Sequence, residues 1–289
     1  MIRAIIDGIL SGGVYALMAA GLTLIFGVMD IVNFAQGVLV VLGSYLSYVL
    51  EMRLGIGLFL GLFITIPALF LLGVGLEWAF MRRLQERERT AMSVLVTYGA
   101  AIIIQGVLIL IFGSNFLQLH ASYVNQSFDV GGIYLPQIYV YGFLLAVGLL
   151  AALYAVLYRS KFGASVRASL QDRAAARLVG INVQRVSTIT FGIGVCVTAA
   201  GGMVFGATNA FDANSGYDLI SRLFAIVILG GLGSIGGALG AAVFMTVIEA
   251  IVATVWAPIW GAMTFYLAMV LVLAIKPEGI FGRRAARAQ

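Results

Sequence analysis

The chain has 289 residues, 17 Lys and Arg against 12 Asp and Glu, a formal net charge of +5, and a composition 62% hydrophobic and only 10% charged. Soluble domains average about 45–50% apolar and about 25% charged residues, and a soluble chain of this size needs a far more polar surface, so an ordinary soluble enzyme is excluded. The basic excess is no nucleic-acid signature either. Fourteen of the seventeen Lys and Arg fall in three clusters, 82–89, 159–185 and 276–287, beside apolar stretches, where topology and anionic lipid account for them.

Taken in order, apolar segments run at about 5–28, 34–51, 56–80, 91–113, 137–158, 187–210, 222–234, 237–256 and 258–276. Crossing the hydrocarbon takes about 20 apolar residues. The 222–234 piece rises only about 20 Å at 1.5 Å per residue and stops short. The expected fold is therefore an all-α polytopic membrane protein, with about eight transmembrane helices plus a broken or re-entrant half-helix, in one domain over 1–289. Arg3 precedes an apolar run longer than a signal-peptide core and without a clear A-x-A site, so the first segment reads as a retained span. Placing the three basic clusters in the cytoplasm puts the N-terminus outside and Arg283-Arg284-Ala-Ala-Arg287 inside. The loops at 51–55, 114–136 and 211–221 then face outward with Glu51, Asp129, Asp212, Asp218, Arg53 and Arg222. Phe34-Ala-Gln-Gly37 opens a helix after a polar break much as Gly236-Gly237-Ala-Leu-Gly240 does, a thin echo of the duplicated halves common among transporters.

Candidate catalytic residues are scarce. There is no G-x-x-x-x-G-K-[ST] phosphate loop, and the only lysines are Lys161 and Lys276. Gly231-x-Gly233-x-x-Gly236 matches a dinucleotide pattern by letters but lies in an apolar run with no strand before it. His120, the sole histidine, has no paired acids nearby, and Cys196, the sole cysteine, sits in an apolar stretch, so no catalytic or metal-ligating set is expected.

The glycines Gly231, Gly233, Gly236 and Gly237 suggest a helix break. Either they allow tight helix packing, or they end a half-helix beside a pathway, where freed backbone groups find partners. Asp30 is placed at the cytoplasmic interface, and Asn33 and Gln36 either cap the next helix or line a path. Glu249, about 10 Å inside its helix end, is an intramembrane carboxylate and so a functional suspect, or else a protonated group hydrogen-bonded between helices. Gln105 poses the same choice. In the inner loop, Ser169 with Asp172 resembles a capping box and Gly180 a helix stop. A helix of about ten residues fits between them, and along the loop Val166, Leu170, Ala174 and Leu178 recur every four positions. Such a helix is too short to stand alone and needs a partner or a lipid surface.

Together these residues resemble the permease subunits of bacterial branched-chain amino acid ABC importers, of the LivH type, nearly end to end. The points of likeness are Gly-Leu-Thr-Leu-Ile-Phe-Gly27, Asn33-Phe-Ala-Gln-Gly37, Gly180-Ile-Asn-Val-Gln-Arg185, Leu229-Gly-Gly-Leu-Gly-Ser-Ile-Gly236 and Lys276-Pro-Glu-Gly-Ile-Phe-Gly282. The resemblance implies a transport subunit of the inner membrane that is not itself an enzyme, and alternating access driven by partner ABC ATPase subunits that bind ATP and Mg. It also implies a second homologous permease and a periplasmic or extracellular substrate-binding protein that delivers the amino acid. It makes the inner-loop helix a coupling helix, with Arg167, Ser169, Asp172, Ala175, Leu178 and Gly180 as its contact residues. Ala174-Ala-Ala176 followed by Gly180 is similar to the E-A-A-x-x-x-G pattern of permeases, with Ala174 in place of the acid. Gln36 stands where relatives often carry His, which removes a titratable group. Asn33, Gln36, Ser44, Tyr45 and Glu249 are the pathway candidates. The competing readings are an ion- or proton-coupled transporter or channel using Glu249, and a membrane scaffold.

Overall fold

The computed structural model describes residues 1–84, 89–121, 124, 126–130 and 133–276. Among them run α1 (Ile2–Met29), α2 (Gln36–Leu54), α3 (Leu58–Ala79), α4 (Arg89–Phe112), α5 (Gln137–Arg159), α6 (Lys161–Gln171), α7 (Arg173–Leu178), α8 (Val183–Thr208), α9 (Ser215–Gly230), α10 (Ile235–Val255) and α11 (Pro258–Ile275). Eight of these, α1–α5, α8, α10 and α11, are long and apolar enough to cross a membrane. The chain is an all-α polytopic membrane protein with the span count its hydropathy predicts.

The spans sort by enclosure. In α8 and α1, 78% and 72% of the apolar window is buried, against 11% in α11 and 17% in α4, so α1 and α8 form the centre. Lipid gives no hydrophobic drive between helices, and close approach depends on small residues. Gly8 and Gly12 of α1 do this against α10: a Cβ on Gly8 would lie 2.7 Å from the Val247 Cα, and the Thr246 hydroxyl donates to the Gly8 carbonyl at 2.7 Å. Gly202 of α8 likewise lets the backbone of α2 in at Val40 and Ser44.

α9 has 16 residues and rises about 24 Å, short of a hydrocarbon core about 30 Å thick. It begins at Ser215, earlier than 222, so most of the expected outer loop 211–221 is helix and Arg222 lies two turns inside it. Asp212 explains the early start. Its Oδ1 accepts from the Ser215 N–H at 2.9 Å and hydroxyl at 2.7 Å, while the Asp212 N–H donates to the Ser215 hydroxyl. This reciprocal arrangement satisfies orphan donors at a helix start. The break after α9 is confined to 231–234. Gly231 and Gly233 take φ of 85° and 83°, a region that favours glycine, and Ser234 caps α10 by accepting from the Gly237 N–H. Gly236 and Gly237 are therefore helical and not part of the break. Gly237 serves contact instead, since a Cβ there would collide with the Gly230 carbonyl.

The polar break between α1 and α2 covers 30–35. Asp30 closes α1 in the left-handed region at φ 52°. The irregular backbone that follows is satisfied by α4. Thr90 donates to the Asp30 carbonyl, Ser93 accepts from the Val32 N–H, and Thr97 accepts from the Phe34 N–H at 3.1 Å. Between α4 and α5, β1 (Ser127–Val130) and β2 (Ile133–Pro136) pair antiparallel, and Leu117 and Phe211 exchange two 2.8 Å backbone bonds. The basic residues after Lys276 lie outside the described residues.

Candidate functional site

Two turns into α9, Arg222 reaches Glu249 of α10, with Nη1 and Oε1 2.6 Å apart and side chains 22% and 21% exposed. Of the two readings open for Glu249, the bond between helices is present, made to a guanidinium that sequence reading had assigned to an outer loop. The guanidinium also lies 5.4 Å over the Phe265 ring of α11, a distance at which the ring face attracts a cation. Both charges face a cavity of about 250 Å³ bounded by Ser11, Tyr15, Tyr139 and Thr208, with an apolar wall of Val14, Met18, Val204 and Phe205. An adjoining recess of about 280 Å³ shares Tyr15, Asn209 and Arg222 and adds Asp218, one turn before Arg222. Charges at membrane depth are costly and persist where they pair or line a cavity; here they pair and border one.

The other pathway candidates lie in closed packing. Asn33 and Gln36 are fully buried. Asn33 Nδ2 donates to Gln36 Oε1 at 2.9 Å, Asn33 Oδ1 accepts from the Ala35 N–H, and Gln36 Nε2 donates to the Gly194 carbonyl of α8 at 3.0 Å. Neither side chain caps α2, whose N-cap is Ala35 without a side-chain bond; they join its start to the central helix. The Ser44 hydroxyl donates to the Gly202 carbonyl at 2.6 Å. Tyr45 is 1% exposed, its ring against Phe112 and edge-on to Phe211. None of these four lines the charged cavity. Gln105 joins α4 to α9, donating to Asn214 at 2.6 Å and accepting from the Tyr217 hydroxyl at 2.7 Å.

The inner loop folds as two helices instead of one. Ser160 caps α6 by accepting from the Gly163 N–H. Asp172 ends α6 and caps α7, its Oδ1 accepting from Ala174 and Ala175 N–H at 2.7 and 3.0 Å. Ser169 is inside α6 and donates to the Ser165 carbonyl, so the expected Ser169–Asp172 capping box does not form. A sequence S-x-x-D fits both a box and an Asp cap, and only the chain direction at Asp172 decides. The break also dissolves the four-residue stripe: Val166 is buried, while Leu170 is 41% and Leu178 89% exposed. Arg167 donates to the Leu157 carbonyl and lies over the Tyr158 ring. Gly180 stops the segment at φ 83° as anticipated, and Asn182 caps α8. Of α7 only Ala176 is buried; Ala175 is exposed.

Sequence reasoning passed over two features. Glu77, fully buried at the end of α3, accepts from the Thr188 hydroxyl at 2.6 Å and from Gln184 at 3.3 Å. Its signal was an acid in the last turn of an apolar segment. Arg222 was visible as the one cation between 186 and 275, but its partner lies 27 residues on.

Residues 4–273 match the family model described as the permease component of the branched-chain amino acid transport system. The chain is 27% identical to the high-affinity branched-chain amino acid transport system permease protein LivH of Salmonella typhimurium, over 98% of this chain and 96% of that one. It is 25% identical, with the same coverage, to the permease protein BraD of Pseudomonas aeruginosa. It is 31% identical over 82% of its length, and 76% of the relative's, to a probable branched-chain amino acid transport permease protein LivH of Methanocaldococcus jannaschii.

Proposed function

Because the chain belongs to the permease components of branched-chain amino acid transport systems, we propose that it moves branched-chain or closely related amino acids across the bacterial inner membrane, as one subunit of a binding-protein-dependent ABC importer. The binding protein delivers solute at the outer loops, partner ATPases bind ATP and Mg and close, and this chain alternates between outward and inward access. A second homologous permease completes the membrane core. The N-terminus is outside and the C-terminus cytoplasmic.

The observation that carries the coupling part is α7. Helices shorter than about 12–15 residues are marginal in water, and this one has six residues with a single buried side chain. Leu178 and Val179, 89% and 75% exposed, end it as an uncovered apolar knob next to Arg177, while Arg173 at its start donates to Ser187 of α8. Exposed apolar groups held on a preformed scaffold suit a cleft on a partner protein. We assign that cleft to the ATPase, with Arg167, Ser169 and Asp172 fixing the pose of the segment and Ala175, Leu178 and Gly180 at or beside the contact.

The charged cavity supports transport over a scaffold role, since a scaffold has no need to keep an ion pair facing open space inside its bundle. It also argues against Glu249 as a mobile proton or ion carrier, because Arg222 already neutralises it. The test is mild extraction of the tagged chain from its native membrane, with mass spectrometry of what co-purifies, then leucine uptake by the reconstituted assembly. An ATPase, a second permease and ATP-dependent uptake are the expected result. A chain that transports alone, with uptake abolished by collapsing the proton gradient at constant ATP, would overturn the importer reading.

A further inference from the structure

We propose that the Arg222–Glu249 pair is a transit site for the zwitterionic head of the amino acid: in passing, the solute carboxylate takes Arg222 and its ammonium takes Glu249. The inference rests on the importer reading above and adds to it a place and a chemistry for the solute inside this chain.

Three observations converge on it. The pair sits in a cavity and not in dry packing, with each side chain about one-fifth exposed (22% and 21%) at a 2.6 Å separation. Around it stand neutral hydrogen-bonding groups, Ser11, Tyr15, Tyr139 and Thr208, with Asp218 one helical turn away along the adjoining recess. The rest of the lining, from the same helices α1 and α8, is aliphatic and aromatic, with Val14, Met18, Val204 and Phe205. At about 250 Å³ the cavity falls below the roughly 300 Å³ at which drug-sized ligand pockets begin, so it fits a small solute with one apolar branch.

The electrostatics favour passage. An isolated charge buried at this depth is expensive, and removing one member of a buried pair strands the other. An α-amino acid carries opposite charges one carbon apart. On entering, it exchanges one internal ion pair for two of the same kind, so neither the empty nor the loaded site holds an unmatched charge. Gain and loss nearly cancel, and the site binds weakly. An importer needs this of its membrane subunit, because binding tight enough to hold the solute would slow release. A solute with only a carboxylate or only an ammonium satisfies one member and strands the other.

The decisive variant is the neutral pair Arg222→Gln with Glu249→Gln, compared with each single change, in the assembled transporter reconstituted with its binding protein. Each single change is expected to lower leucine uptake tenfold or more. If the pair were only a brace between α9 and α10, two amides would relieve the stranded charge and bring uptake back. The transit site predicts that the double variant, recovered in the assembled complex at wild-type amount, stays tenfold or more below wild type.

A second measurement keeps the question answerable should the variants fail to assemble. In saturation-transfer NMR on the wild-type permease–ATPase complex without binding protein, leucine at millimolar concentration should show transfer. Leucinol, which lacks the carboxylate, and 4-methylpentanoate, which lacks the ammonium, should not. Double-variant uptake within twofold of wild type, no transfer to leucine, or equal transfer to leucinol would each overturn the site and leave the importer reading standing. A wild-type assembly that imports no amino acid would remove both.

Discussion

Asp212 shows how much one side chain sets at the residue scale. Burial alone would raise its carboxyl, but the hydrogen bonds from Ser215 and Asn214 outweigh burial and hold it below the ordinary carboxylate range. A carboxyl with a depressed folded-state value stabilises the fold above its unfolded value of about 3.9, and that contribution is lost as pH falls through the lower folded value. Asp212→Ala should therefore cost about 1–2 kcal/mol, the usual toll for losing a helix N-terminal cap, read as a lower melting temperature of the purified protein at neutral pH. Below about pH 4 the difference between variant and wild type should shrink. A gap that stays constant down to pH 2 would mean that the carboxylate form is not what starts α9. Thr97 makes a parallel case: Thr97→Val leaves the half-buried Phe34 N–H without its 3.1 Å partner, and should cost about 1 kcal/mol in the same melting assay.

At the scale of elements, α7 carries the sharpest prediction. Leu178→Asp places a charge in the uncovered knob, and Gly180→Pro forbids the φ of 83° that turns the chain toward α8. Proline holds φ near −65°, so the stop must refold. With both changes the chain should still reach the membrane in normal amount, since Leu178 is 89% exposed. Co-purified ATPase and uptake should both fall at least tenfold. Undiminished uptake at normal expression would mean that the segment couples nothing. How far such elements could be read in advance follows from what fixes them. The eight spans follow from local composition and were legible to within a few residues; the existence of a short α9 was legible too, because glycines follow it, but its bounds were not. The split of the inner loop into α6 and α7 was not legible, since Asp172 satisfies both a one-helix and a two-helix pattern. The start of α9 was missed because Asp212 and Ser215 lie in a polar stretch that reads as loop until their reciprocal bonds are seen. The Arg222–Glu249 pair depends on α9 folding back along α10, information absent from either segment alone.

For the whole molecule, the orientation rests on the three basic clusters and is open to direct labelling. Cys196 is the sole cysteine, so Cys196→Ser gives a background without thiols. In that background a cysteine at Arg3 should react with an impermeant thiol reagent added outside, and one at Leu178 only after the membrane is opened. The reverse pattern would invert the topology and place α7 beyond the reach of any cytoplasmic ATPase.

The four residues Val179–Asn182 that separate α7 from α8 have a mechanical consequence. They form a short, stiff link from an exposed foot to the most enclosed span of the molecule. Asn182 grips the first turn of α8, and Glu77 pins the first two turns to α3 through Gln184 and Thr188. Farther along, α8 is tied to α2 by Gln36 at Gly194 and by Ser44 at Gly202. There is little slack in this train. Under the coupling proposed above, a push on the foot of α7 would enter α8 where Glu77 of α3 holds it and pass along α8 to its bonds with α2. In that proposal the fully buried Gln36 amide and Ser44 hydroxyl, which line neither charged recess, would be the gear teeth that keep α2 in step with α8.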